Sequence, residues 1–187
     1  MHFTTTEEAV AVALVAIGEA QPRCGDTLVV AIDGPSGAGK TDLAAALAQH
    51  LPDAALLHMD DLYPGWDGLR QAVADLFGQV LVPLSRGQSA AYRGWDWKHD
   101  RYEGRHVIPP AELLLVEGVG SGAGPGAELE SVLIWLEAER AVRFRRGIER
   151  DGEQYLLRWQ RWAALEDALF ADDLTRERAD LIIDTTP

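Results

Sequence analysis

Five short apolar runs punctuate the chain at residues 28–32, 54–58, 113–116, 132–136 and 181–183. Runs of this length, dominated by Val, Ile and Leu and bounded by turn residues, predict strands buried on both faces. The segments between them change period. Residues 42–51 carry Ala and Leu at helical spacing and stop at Pro52, residues 69–81 read as another helix, and residues 139–150 and 155–170 carry helical patterns. Near the N-terminus, Thr6, Glu7 and Glu8 precede the apolar run 9–17, a polar start with acids in the first turn that predicts a packed helix. Acids stand where an export signal carries positive charge, and the run is too short to span a bilayer, so a cytoplasmic protein with no membrane partner is expected.

Strands alternating with helices predict a parallel sheet covered by helices on both faces. A single domain over residues 1–187 accommodates this, with two additions. Residues 90–108 hold scattered aromatics and two glycines, Gly94 and Gly104, which suits a hairpin or irregular lobe, and residues 143–155 form a candidate lid. In such sheets ligands sit beyond the C-terminal strand ends.

One of those ends carries a strong motif. Gly34-Pro35-Ser36-Gly37-Ala38-Gly39-Lys40-Thr41 fits the phosphate-loop pattern G-x-x-x-x-G-K-[ST] at every required position, directly after the first apolar run. Backbone N–H groups at a strand-to-helix turn converge on a phosphate chain, so Gly34, Ser36, Gly37, Ala38, Gly39, Lys40 and Thr41 form the expected ATP site. Lys40 can reach the outer phosphates, and the Thr41 hydroxyl can serve Mg²⁺.

Charge and cysteine content narrow the partners. A formal net charge of −13 argues against a nucleic-acid polymer, which demands a broad basic face. Small phosphorylated ligands remain compatible with an acidic protein. Cys24 is the single cysteine, which excludes an intrachain disulfide and any multi-cysteine metal site. Among the histidines, His2, His50, His58 and His106 lack metal-ligand spacing and read as surface or packing residues. Trp135, Trp159 and Trp162 read as core.

Asp60, after the second apolar run, and Glu117, ending the third, join the phosphate loop beyond strand ends. Transfer to an alcohol requires a carboxylate that orients the hydroxyl and accepts its proton, the role open to Asp60, and oxygen ligands for Mg²⁺, the role open to Thr41, Glu117 and Asp60. An acid in Glu117's position also caps helices or binds backbone amides in other proteins. Arg140, Arg143, Arg145, Arg146 and Arg150 cluster in one predicted helix, with Arg143, Arg146 and Arg150 on one face and Arg145 elsewhere. Arg146 and Arg150 are the candidates to steady a transferring phosphoryl group.

In this order, the phosphate loop, Asp60-Asp61-Leu62-Tyr63, Trp95-Asp96-Trp97, Val116-Glu117-Gly118 and Arg145-Arg146-x-x-x-Arg150-Asp151 resemble the uridine kinase family of P-loop small-molecule kinases. The resemblance implies a three-layer P-loop NTPase sandwich with a five-stranded parallel sheet and a hairpin and lid insertion. It also implies ATP and Mg²⁺ as cofactors and a nucleoside as acceptor. Asp60 falls on the family's catalytic base, with Leu62 where Phe is usual, and Tyr63, Trp95, Trp97 and His99 fall on its acceptor pocket. Asp67 is a candidate for sugar hydroxyls, although a turn explains it equally well. The phosphate loop also resembles that of cytidylate kinases, and a nucleoside monophosphate, another small metabolite or a regulatory ATPase role stays open. So does a homo-oligomer.

Overall fold

The structure is a computed structural model that describes residues 6–187; the side chains of Thr6, Asp151 and residues 153–157, like His2, lie outside the described residues. In chain order the strands are β1 (Leu28–Asp33), β2 (Ala55–His58), β3 (Ala90–Asp96), β4 (Arg101–Ile108), β5 (Leu113–Glu117), β6 (Val132–Glu137) and β7 (Leu181–Asp184). The helices are α1 (Thr6–Glu19), α2 (Lys40–His50), α3 (Leu69–Asp75), α4 (Val82–Ser85), α5 (Arg140–Asp151), α6 (Glu153–Asp173) and α7 (Thr175–Arg178). Five strands form one parallel sheet in the order β2-β5-β1-β6-β7, while β3 and β4 pair antiparallel as a separate hairpin. This is a P-loop NTPase sandwich.

Strand alternation builds two cores. Val30 and Ile32 of β1, Leu115 of β5 and Ile134 of β6 are buried with Ala13 of α1 and with Leu43 and Leu47 of α2. The intervening residues Val29, Leu114 and Val116 pack on the opposite side with Leu69, Val73 and Trp162. Each such aliphatic side chain contributes about 2 kcal/mol by leaving water. The doubly buried strands were therefore readable as continuous apolar runs.

The helix expected over residues 69–81 is longer and less regular. After α3 the chain takes a π-helical turn over Leu76–Leu81 and continues through α4 to Ser85. Pro83 explains the change, because proline offers no N–H and crowds the carbonyl four residues earlier; widening the preceding turn relieves both problems. Cys24, in the linker before β1, is fully buried and points its thiol at the Leu81 carbonyl, 3.2 Å away.

Register brings the strand ends level. Glu117 lies opposite Ile32 on one side and His58 on the other. Beyond β1 the chain must turn at once into the phosphate loop, and Gly34 makes that turn at φ 129°. A Cβ there would stand 2.0 Å from the Leu136 carbonyl oxygen, so no other residue fits.

Candidate active site

The phosphate loop enters α2 through Gly39, whose left-handed backbone (φ 93°) swings the first amides of the helix toward the cavity. Lys40 is buried and folds across its own loop, donating to the carbonyls of Gly34 at 2.7 Å and Pro35 at 3.1 Å. The Ser36 amide donates to Glu166 Oε1 at 2.8 Å. Behind the loop, Asp33 accepts from the amides of Gly34 (2.6 Å) and Gly120 (2.8 Å) through Oδ1 and of Gly122 (2.9 Å) through Oδ2. Asp33 thereby staples the end of β1 to the glycine-rich loop after β5. Burial pushes its carboxyl up to about 6 against those three amides.

Three elements deliver acids and their partners to one place. Glu117 ends β5, where Thr41 Oγ1 lies 3.3 Å from each of its oxygens and His58 Nδ1 lies 2.6 Å from Oε1. Asp60 sits on the 3₁₀ turn Met59–Asp61 that follows β2. A cavity of about 1420 Å³ is lined by Lys40, Thr41, Asp60, Glu117 and Arg150, among others. Asp60 is exposed where it faces this cavity. Burial, followed by the charge of Glu117, raises its pKa, while Arg150, Lys40 and His58 pull the other way. Burial lowers the pKa of Lys40, opposed by Glu166, Glu117, Asp33 and Asp60.

Aromatic rings wall the side of the cavity near Asp60. Trp97 Nε1 donates to the Asp60 carbonyl at 2.9 Å, Trp66 meets Trp97 edge-on at 5.5 Å and Trp162 at 5.9 Å, and Tyr63 packs on Trp162. The buried Tyr63 hydroxyl donates to the Val119 carbonyl at 2.8 Å. Of the acceptor-side residues expected from sequence, Tyr63 and Trp97 line the cavity. Trp95, His99 and Asp67 do not: Trp95 packs edge-on against Tyr102, His99 pairs with Asp96 at 2.5 Å, and Asp67 pairs with Arg161 at 2.6 Å. A register shift between Tyr92 and Gly94 interrupts the β3–β4 pairing before the segment that carries Trp95.

The arginines divide their work. Arg146 donates to Gly37 O at 3.2 Å and to Thr185 Oγ1 and O at 3.0 and 2.8 Å, tying the phosphate loop to the segment after β7. Arg143 reaches Ser36 O at 3.2 Å and lies 3.9 Å from Glu166. Arg146 and Arg150 both line the cavity, and Arg145 is exposed. Arg146 in this arrangement positions backbone, whereas Arg150 is the member whose charge reaches Asp60.

Several residues at the site carry no local sequence signal of their role. His58, expected to be a surface or packing residue, instead holds Glu117. Glu166 gave no local signal because it reaches Ser36 from a helix 130 residues away. Trp162 and Trp159 are buried as expected, and Trp162 also faces the cavity. His106 stacks on Tyr92 with ring centroids 5.0 Å apart. No described helix is long and apolar enough to cross a membrane.

No family model matches the chain. Uridine-cytidine kinase C of Dictyostelium discoideum is 30% identical over 105 residues, which make up 51% of this chain and 23% of that protein. A bifunctional pantoate ligase/cytidylate kinase of Gloeobacter violaceus is 33% identical over 113 residues, or 54% of this chain and 21% of that protein. The chain thus spans less than a quarter of the length of either relative. A solved structure described as a possible uridine kinase from Bacillus stearothermophilus superposes with a TM-score of 0.68 at 21% identity, covering 96% of this chain and 97% of that one. The chain has a P-loop kinase-like fold.

Proposed function

We propose that the chain transfers the γ-phosphoryl group of ATP to a hydroxyl of a small molecule. The observation that carries this reading is the convergence of Lys40, Thr41, Glu117 and Asp60 on one cavity, with an aromatic wall beside Asp60. A P-loop ATPase needs the first three; the acid on the aromatic side, beside space for a second ligand, favours an alcohol acceptor. The motif order makes a nucleoside the first acceptor to test.

Mg²⁺ suits the donors present. The Thr41 hydroxyl and Glu117 carboxylate are hard oxygen ligands 3.3 Å apart, and a dication relieves the repulsion between Glu117 and Asp60. When bound there, Mg²⁺ neutralises charge on the triphosphate. Thr41, Glu117 and Asp60 are the residues to hold it. Lys40 and the loop amides hold the phosphates. Asp60 accepts the hydroxyl proton as the acceptor oxygen bonds to the γ-phosphorus and the bond to the β–γ bridging oxygen breaks, releasing ADP. Arg150 steadies the charge on the group in transit.

His58 fixes one Glu117 oxygen, so His58→Ala is expected to raise the Mg²⁺ concentration for half-maximal activity about tenfold, with the ATP site otherwise intact. A magnesium titration checks this. The function itself is tested by ADP release with nucleosides, nucleoside monophosphates and sugars as acceptors. Acceptor-dependent release supports the reading. Slow hydrolysis indifferent to every alcohol points to a regulatory ATPase instead.

A further inference from the structure

Arg158, on α6, lines the cavity with its guanidinium carbon 5.2 Å from the centre of the Trp66 ring, and no carboxylate among the described residues pairs with it. The chain as a whole carries 30 acidic residues against 17 basic ones. Arg70, Arg140, Arg161, Arg176 and Arg178 each bind an acid. The nearest acid in sequence to Trp66 is Asp67, and Arg161, one turn along the same helix, already holds it at 2.6 Å. Arg158 thus sits over an indole ring at the wall of the cavity that Asp60 shares.

Three other wall residues have spent their polar groups. Tyr63 OH donates to Val119 O, Trp97 Nε1 donates to Asp60 O, and the Trp162 side chain bonds Glu166. Asp96 and His99, the hairpin pair suited to reading a base edge, bond to each other outside the cavity. Such a wall can bury apolar surface and bind a negative charge, but it offers little to the donors and acceptors of a neutral polar ring.

Building on the kinase reading, we propose that the acceptor is an anionic alcohol, whose carboxylate or phosphate is bound by Arg158 over Trp66 while its hydroxyl faces Asp60. Two matched pairs of probes test this: glycerol against glycerate for a carboxylate, and uridine against uridine monophosphate for a phosphate. Binding is read by quenching of tryptophan fluorescence, since Trp66, Trp97 and Trp162 line the cavity, with Mg²⁺ and a non-hydrolysable ATP analogue filling the phosphate loop. At least one anionic probe is expected to bind about tenfold or more tightly than its neutral partner. Arg158→Gln is expected to erase that preference without changing affinity for the analogue, and Arg158→Lys to restore part of it. Equal binding within both pairs, or no binding by either anionic probe, overturns the proposal. So does an Arg158→Gln variant that weakens analogue binding while keeping the preference, because Arg158 then serves the triphosphate. Absence of ADP formation with every alcohol would count against the kinase reading alone, since the preference is measured without transfer.

Discussion

Replacing Asp60 with Asn is expected to lower turnover by a factor of about 10² to 10⁴ while leaving the affinity for ATP within about threefold. Asn preserves the shape of the side chain and can still orient a hydroxyl, but it cannot take the proton. The ATP site should survive because its contacts come from the loop after β1 and from Lys40, Thr41 and Glu117. Burial and Glu117 hold the Asp60 pKa above the ordinary carboxylate range, which makes it a stronger base once ionised. Turnover retained in Asp60→Asn, measured with the acceptor found by ADP release, would remove Asp60 from its role.

Glu130 gives the second large effect, on stability. It lies at the end of the 3₁₀ segment Gly124–Leu129, 4% exposed, and neither carboxylate oxygen has a hydrogen-bond partner among the described residues. Burial, then the charge of Asp33, pushes its carboxyl up to about 8, with Arg178 opposing and Asp173 and Asp180 adding to the rise. The unfolded chain releases this proton near pH 4.5, whereas the folded protein keeps it until about pH 8. Folding must therefore take up a proton between those values. The stability present below pH 4.5 declines as pH rises toward 8. Glu130→Gln removes this term, so its stability relative to the unchanged protein should grow by about 3 kcal/mol between pH 5 and pH 8. Denaturant unfolding at several pH values measures the difference, and a pH-independent difference would show that Glu130 folds in its charged form.

Features encoded locally were legible in the sequence. Residues 28–32 and 113–116 needed only their unbroken apolar character to announce buried strands, and the loop at 34–41 needed only its glycines, Lys40 and Thr41. The meeting of Asp60 and Glu117 followed from the rule that ligands sit at C-terminal strand ends, and the cavity contains both. Pairings across long sequence distances were not legible. Glu166 to Ser36, His58 to Glu117 and Arg158 over Trp66 depend on how α6 and the edge strand dock, which no local pattern records. Motif order named Trp95 and His99, whereas Trp66 and Trp97 stand at the wall. A π-helical turn was equally hidden, because Pro83 lies beyond the segment whose helical spacing was clear.

The most direct test follows the phosphorus. ³¹P NMR of the protein with Mg²⁺, ATP and the candidate alcohols should show the γ-phosphoryl signal passing into a phosphate monoester as ADP appears, and Asp60→Asn should stop that transfer. Inorganic phosphate as the only product, whichever alcohol is present, would contradict the account.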